Sequence, residues 1–211
     1  MKKYKLYIFD MDLTTIDSAE SSCLSYEAAF NSLGLPFDKS KVYYYLNQNL
    51  EETYQEVESL APGKGMEFFD AFVENSGKTF HKVAKFYPEC EEVFKTLYEQ
   101  GAKLAMVTNR NAHDIQLMLD AFPNISKYIT YYVGSDMVSK MKPDPEGILL
   151  AIQRLNYQGD LKDICYVGDS YNDFLAAKSA GVTPILIDRY NEFEHNKEYI
   201  RIEHLEELIN K

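Results

Sequence analysis

The sequence predicts an α/β fold: a parallel sheet with an all-helical segment inserted after its first strand. Three observations support this class. Apolar runs end at polar residues, helical patterns alternate with the later runs, and residues 18–85 contain helical patterns without a convincing strand. Strands that alternate with helices pair in parallel through right-handed crossovers. Such sheets bind ligands at the carboxyl ends of their strands.

Four segments have the composition of buried strands. The first, Tyr4–Phe9, is rich in aromatic and branched residues and stops at Asp10. The others are Lys103–Val107, Ile164–Val167 and Thr183–Ile187. The helical patterns among the later strands are Pro88–Gln100, Asn111–Ala121, Pro145–Leu155 and Asn172–Ala180. Gly101 and Gly181 stand where a helix is expected to stop.

The segment from residue 18 to residue 85 is interpreted as an insert. Its helical patterns are Ala19–Leu33, Ser40–Tyr45, Leu50–Leu60 and Gly65–Val83. Gly34-Leu35-Pro36 and Ala61-Pro62-Gly63 separate helices. The predicted organisation is therefore a core made of residues 1–17 and 86–211, with residues 18–85 as a helical cap domain.

Composition excludes several classes of protein. Of the 211 residues, 45% are hydrophobic, which is enough for a core, and the net charge is −11. Because no basic stripe is present, we expect no nucleic-acid partner. No run approaches the roughly 20 apolar residues of a membrane span, and the N-terminal apolar stretch is too short for a secretory signal. The sequence predicts a soluble cytoplasmic protein and leaves its oligomeric state open.

The most informative segment is Asp10-Met11-Asp12-Leu13-Thr14, directly after the first strand. Two carboxylates two residues apart raise each other's pKa unless a cation or a proton neutralises them. A hard divalent metal with oxygen ligands is one solution. Taken alone, the pair is more simply explained as a solvated turn after a strand.

Three later features favour a site. Thr108 and Asn109 place a hydroxyl and an amide, suited to phosphoryl oxygens, at a strand end. Lys142 precedes two prolines, and its ammonium can offset charge on a phosphate and a carboxylate. Asp169 and Asp173 form a second acidic loop at a strand-to-helix junction. Each has a structural explanation, as a helix cap or a surface lysine, but their joint occurrence at strand ends favours one shared site.

The ordered runs FDMDLTT, VTN, KPDP and GDSYND resemble the four motifs of the haloacid dehalogenase superfamily across nearly the whole chain. The helical insert resembles that of the capped phosphoglycolate phosphatase and β-phosphoglucomutase group. This resemblance implies a Rossmann-like core with an inserted all-helical cap. Leu13 takes the place at which the family usually has glycine, a residue that permits φ > 0 and close backbone approach.

The resemblance also implies roles for individual residues. Asp10 would be the nucleophile and a metal ligand, with Lys142 orienting it and balancing its charge. Asp12 would be the general acid and base, and its backbone carbonyl would bind the metal. Thr108 and Asn109 would hold the phosphoryl group. Asp169, helped by Asp173, would complete a Mg²⁺ site.

The fourth motif separates members of the resembled group. Sugar-phosphate mutases tend to carry Glu-Asp-Ser there, whereas this chain has Gly168-Asp169-Ser170. Asp12 argues against the dehalogenase branch, which lacks an acid at that place. We therefore expect a magnesium-dependent phosphatase that hydrolyses a small phosphorylated metabolite through a phospho-aspartate. A sugar-phosphate mutase and a non-catalytic or regulatory phosphate-binding protein remain the alternatives.

Overall fold

The computed structural model describes residues 1–41, 44–45, 50–190, 193 and 196–210. Within these ranges, residues 50–52 are described by their backbone only. Part of the predicted Ser40–Tyr45 helix lies outside these residues. The chain divides into two compact units: Met1–Ile16 with Phe86–Lys211, and Asp17–Lys85. It passes between them in two short strands that pair with each other, β2 (Ile16–Asp17) and β3 (Lys85–Phe86).

The smaller unit is built from helices α1 (Ala19–Ser32), α2 (Leu50–Leu60) and α3 (Gly65–Val83), with a 3-10 turn at Lys39–Lys41. An aromatic cluster holds it together: Tyr26 lies 4.7 Å from Phe72, and Phe30 lies 5.1 Å from Phe68, measured between ring centroids. Aromatic pairs at such separations stabilise beyond their buried area. Among the helices described, none is long and apolar enough to cross a membrane.

The larger unit contains a six-stranded parallel sheet in the order β5-β4-β1-β6-β7-β8. Besides the first strand, β1 (Leu6–Phe9), its members are β4 (Lys103–Val107), β5 (Ile129–Val133), β6 (Ile164–Gly168), β7 (Thr183–Ile187) and β8 (Ile200–Ile202). Its helices are α4 (Cys90–Glu99), α5 (Ala112–Ala121), α6 (Pro123–Ser126), α7 (Glu146–Arg154) and α8 (Tyr171–Ala180). Three 3-10 turns complete it at Ser135–Met137, Leu161–Asp163 and Leu205–Leu208.

The central strand explains where the polar loops meet. All four residues of β1 are buried, as expected for a strand covered on both faces. Phe9 is in register with Met106 of β4 on one side and with Val167 of β6 on the other. The chain order reverses across β1, which makes its carboxyl end a topological switch point. The residues that follow these three strands therefore begin at one edge of the sheet.

The predicted α/β class and parallel sheet are confirmed, and so are the four predicted strands of this sheet. Strands β5 and β8 were not predicted. The run Ile129–Val133 is rich in β-branched and aromatic residues, but Thr130 is exposed and the two tyrosines are only partly buried, so it lacks the continuous apolar pattern of the central strands. Strand β8 has only three residues and forms by pairing with β7.

Substituting Val57, which is fully buried in the aromatic cluster of the smaller unit, should destabilise that unit. We expect Val57→Ala to lower the free energy of unfolding by about 2 kcal/mol, because two methyl groups leave a packed core. The matched control is Val73→Ala on α3, where the side chain is 48% exposed and the cost should stay within about 0.5 kcal/mol. Urea unfolding followed by circular dichroism measures both, and equal effects would contradict the assigned packing.

Candidate active site

Asp10 lies at the carboxyl end of β1 and is almost completely buried, with 5% of its surface exposed. Its backbone N–H donates to the carbonyl oxygen of Val167 at 2.8 Å, which continues the pairing of β1 with β6 by one residue. Its side chain accepts a hydrogen bond from Lys142 Nζ at 2.5 Å. The strand thus delivers a carboxylate to a fixed place beside a cation.

Lys142 is the cationic centre of the site. Its buried ammonium donates to Asp10 at 2.5 Å, to Asp173 Oδ1 at 2.6 Å and to the Tyr166 hydroxyl at 3.0 Å. Burial alone would lower the pKa of Lys142, but the charges of Asp10 and Asp173 outweigh it and hold the pKa well above its ordinary value. Tyr166 was not predicted, because an aromatic residue within a buried strand has the pattern of a core residue.

Asp173 occupies the first turn of α8. Its Oδ2 accepts hydrogen bonds from the backbone N–H of Ser170 at 3.0 Å and from the Ser170 hydroxyl at 2.6 Å, which forms a capping box. A Cβ atom at Gly168 would lie 2.3 Å from Asp173 Cγ, so glycine is the residue that allows this close approach. Since its Oδ1 accepts from Lys142, both carboxylate oxygens of Asp173 already have donors.

Asp169 completes a group of three carboxylates. Its Oδ1 accepts from the Thr14 hydroxyl at 2.9 Å. Ligand oxygens of Asp10, Asp169 and Asp173 lie within 4.8 Å of one another. Burial, with the charges of Asp173 and Asp10, raises the pKa of Asp169 well above its ordinary value. Clustered carboxylates that are costly to ionise suit a hard divalent cation with oxygen ligands, so the residues present fit a metal site.

The side chain of Asp12 is not part of this group. It forms a bidentate ion pair with Arg110, whose Nε donates to Oδ2 at 2.7 Å and whose Nη2 donates to Oδ1 at 2.9 Å. Arg110 directly follows the VTN run and was not among the predicted site residues. A planar guanidinium fixes the orientation of a carboxylate better than a single donor can.

Thr108 and Asn109 follow β4 and were predicted to hold a phosphoryl group. The Thr108 side chain is buried, and its hydroxyl accepts from the backbone N–H of Arg110 at 3.3 Å. The Asn109 side chain accepts from the Lys142 backbone N–H at 3.0 Å and donates to the Lys142 carbonyl at 3.3 Å. The amide of Asn109 therefore fixes the loop that carries Lys142, and its contact with a substrate stays a prediction.

The fold and the site define an α/β protein with a buried, cation-balanced carboxylate at the centre of its site. Residues 7–187 match the model of the family described as haloacid dehalogenase-like hydrolase, and the chain belongs to this family. The predicted family and fold are confirmed. The chain is an enzyme of the phosphohydrolase type, as its curated relatives indicate.

Two curated proteins are similar to this chain in sequence, and one solved structure is similar to it in fold. A phosphoglycolate phosphatase from Vibrio parahaemolyticus is 30% identical over 190 residues, covering 84% of this chain and 80% of the relative. The pyrophosphatase PpaX of Listeria welshimeri is 28% identical over 181 residues, with coverages of 84% and 80%. A haloacid dehalogenase-like hydrolase from Streptococcus pneumoniae shares the fold, with a TM-score of 0.79 at 19% identity, covering 99% of this chain and 98% of that one.

Asp10 should make the metal-free protein sensitive to pH. Burial raises its pKa from 3.8 to about 7, and Lys142 only partly opposes this rise. A raised carboxyl pKa stabilises the fold below pH 3.8, and this stability is lost as the pH rises through about 7. At about 1.36 kcal/mol per pKa unit, the loss of stability is roughly 4 kcal/mol.

We therefore expect Asp10→Asn to be more stable than the wild type at pH 8 in the presence of a chelator. The advantage should shrink steadily as the pH falls toward 4, because the wild-type carboxyl then becomes neutral as well. Urea unfolding of both proteins across this pH range measures the difference. A difference that is the same at every pH would contradict the burial cost assigned to Asp10.

Proposed function

We propose that this enzyme is a magnesium-dependent phosphatase that hydrolyses a small phosphomonoester through an aspartyl-phosphate on Asp10. One observation carries the proposal: a buried carboxylate at the switch point of the sheet is held by Lys142 within a group of three aspartates. The phosphoglycolate phosphatase among its relatives supports a small phosphorylated substrate.

Asp10 would act as the nucleophile in the first of two steps and as the leaving group in the second. One carboxylate oxygen forms a bond to phosphorus, and the bond from phosphorus to the ester oxygen breaks. Water then attacks the same phosphorus, the bond to Asp10 breaks, and inorganic phosphate leaves. A carboxylate nucleophile divides one difficult displacement into two easier ones. Lys142 holds Asp10 in place and balances its charge throughout.

Asp12 would move the proton in both steps. As an acid it gives a proton to the departing ester oxygen, and as a base it takes one from the attacking water, so its protonation state is restored after each cycle. General acid–base help of this kind contributes about 10²- to 10⁴-fold in rate. Arg110, with two hydrogen bonds to Asp12, orients the carboxylate that performs these transfers.

The metal would be held by the carboxylates of Asp10 and Asp169, with the backbone carbonyl of Asp12. Bound Mg²⁺ supplies positive charge that neutralises these carboxylates and polarises the phosphoryl oxygens. Asp173 lies in the same group, but donors from Lys142 and Ser170 already occupy both of its carboxylate oxygens. We propose that Asp173 completes the site mainly through its charge and through its hold on Lys142.

The remaining assignments concern the substrate. Thr108 and Asn109 would bind the phosphoryl oxygens, since both follow the strand beside β1. The division into a catalytic core, residues 1–17 and 86–211, and a specificity-setting cap, residues 18–85, is part of the same proposal. A mutase would instead transfer the phosphoryl group to a second hydroxyl of a sugar phosphate, so release of inorganic phosphate separates the two activities.

Replacing Asp10 tests the nucleophile. We expect Asp10→Asn to lower kcat by about 10⁴-fold or more, because an amide keeps the shape of the side chain but cannot attack phosphorus. The measurement is phosphate release from p-nitrophenyl phosphate in the presence of Mg²⁺. Asp120→Asn, on the exposed face of α5, is the control and should keep the wild-type rate. Near-normal turnover by a well-folded Asp10→Asn protein would exclude the assignment.

Comparing Asp12→Asn with Asp169→Asn separates proton transfer from metal binding. The first variant should lose about 10²- to 10⁴-fold in kcat while needing nearly the same Mg²⁺ concentration for half-maximal activity, since the Asp12 side chain lies outside the carboxylate group. The second should need about 10- to 100-fold more Mg²⁺. Magnesium titrations of activity measure both. An equal rise in the Mg²⁺ concentration that the two variants need for half-maximal activity would show that these roles are assigned wrongly.

A further inference from the structure

The acidic loop, residues 10–16, turns back on itself directly after β1. The backbone N–H groups of Thr15 and Ile16 both donate to the Met11 carbonyl, at 3.1 and 2.8 Å. The N–H of Leu13 donates to the Ile16 carbonyl at 2.8 Å, which closes the turn. These bonds lie within the loop and leave the carbonyls of Leu13 and Thr14 pointing to partners elsewhere in the chain.

Leu13 is the strained point of this turn. Its φ is +52°, in the left-handed region, and its side chain is buried. For a residue with a Cβ atom, the left-handed region is about five- to thirtyfold less populated than the right-handed one. Glycine enters the left-handed region freely. Contacts that hold the loop in this conformation must therefore compensate for the strain.

Arg189, shortly after β7, supplies such contacts. Its Nε donates to the Leu13 carbonyl at 3.2 Å, and its Nη2 donates to the Thr14 carbonyl at 2.9 Å. The guanidinium is fixed in turn by Glu89 at 2.8 Å and by the face of the Tyr87 ring, with the guanidinium carbon 3.5 Å from the ring centroid. Its planar set of donors spans two consecutive carbonyls, which a single ammonium cannot do.

We propose that Arg189 is a positioning residue that holds the acidic loop in the left-handed conformation of Leu13 and so aligns the catalytic carboxylates. Thr14, whose carbonyl Arg189 binds, donates through its hydroxyl to Asp169, and Asp12 directly precedes Leu13. Displacing this backbone would therefore disturb both the acid–base group and the metal site. Only the effect on catalysis rests on the proposed function, since the effect on the loop needs no activity.

A double-mutant cycle tests the inference with four proteins: the wild type, Leu13→Gly, Arg189→Gln and the double variant. The first measurement is hydrogen exchange of the Leu13 and Ile16 amides in metal-free protein. Arg189→Gln should speed their exchange by about five- to thirtyfold. The acceleration should be much smaller in the Leu13→Gly background, because glycine removes the strain that Arg189 offsets. Equal acceleration in both backgrounds would overturn the coupling.

The second measurement is steady-state kinetics, at a temperature where every variant is folded. Arg189→Gln should lower kcat by about 10- to 100-fold with KM nearly unchanged, and Arg189→Lys should recover little of the loss although it keeps the charge. Full recovery by lysine would show that charge alone acts and would overturn the positioning role. If the wild type shows no phosphatase turnover, the proposed function fails, while hydrogen exchange still decides the role of Arg189.

The matched control is Arg201→Gln. The Arg201 side chain is 12% exposed, close to the 11% of Arg189, and its Nε pairs with Asp188 at 2.7 Å. This variant should lower thermal stability through the loss of a buried ion pair, while the Leu13 and Ile16 amides keep their wild-type protection. The same loss of protection in both arginine variants would mean that any buried arginine at this end of the chain supports the loop, and would overturn the specific assignment.

Discussion

The buried ammonium of Lys142 is the interaction on which the site depends. Asp10 and Asp173 are both taken out of water, and a buried carboxylate is costly unless a cation and hydrogen bonds compensate for it. One ammonium serves both of them. The balance is incomplete, because three aspartates share one ammonium and Asp169 accepts its hydrogen bond from the uncharged Thr14 hydroxyl. This remaining negative charge is the physical reason for placing a divalent cation there.

The rest of the core keeps that ammonium in place. Asn109 binds both the backbone N–H and the backbone carbonyl of Lys142, which ties the loop after β4 to the loop that carries the ammonium. Gly168 leaves room for Asp173, and the hydroxyl of Tyr166 lies 2.8 Å from the Val107 carbonyl, beside the ammonium. The parallel sheet thus does more than carry loops, since the ends of β1, β4 and β6 together fix the position of a single charge.

The four central strands of the sheet, the helices α1, α2 and α3 and the acidic residues that follow two of the strands could be predicted from the sequence, because each of these leaves a local pattern. Asp10 and Asp169 end apolar strands, and such positions fall at one edge of a parallel sheet. Arg110 and Arg189 were missed because an arginine in a loop has no pattern that names its partner: Arg189 contacts backbone some 175 positions earlier in the chain. Tyr166 was missed because it lies within a buried strand and packs as a core residue, although its hydroxyl contacts Lys142.

Leu13 shows how a departure from a family pattern can be read in physical terms. The sequence alone identifies a residue where glycine is usual, and it leaves open whether the backbone changes or the strain is retained. The structure has retained it, since φ stays at +52°. Strain persists only where the surroundings determine the conformation, and two bonds from a guanidinium that is itself held by Glu89 meet that condition. Arg189 thus offsets the backbone strain that Leu13 introduces in place of glycine, and the acidic loop gains a leucine side chain that packs in the core.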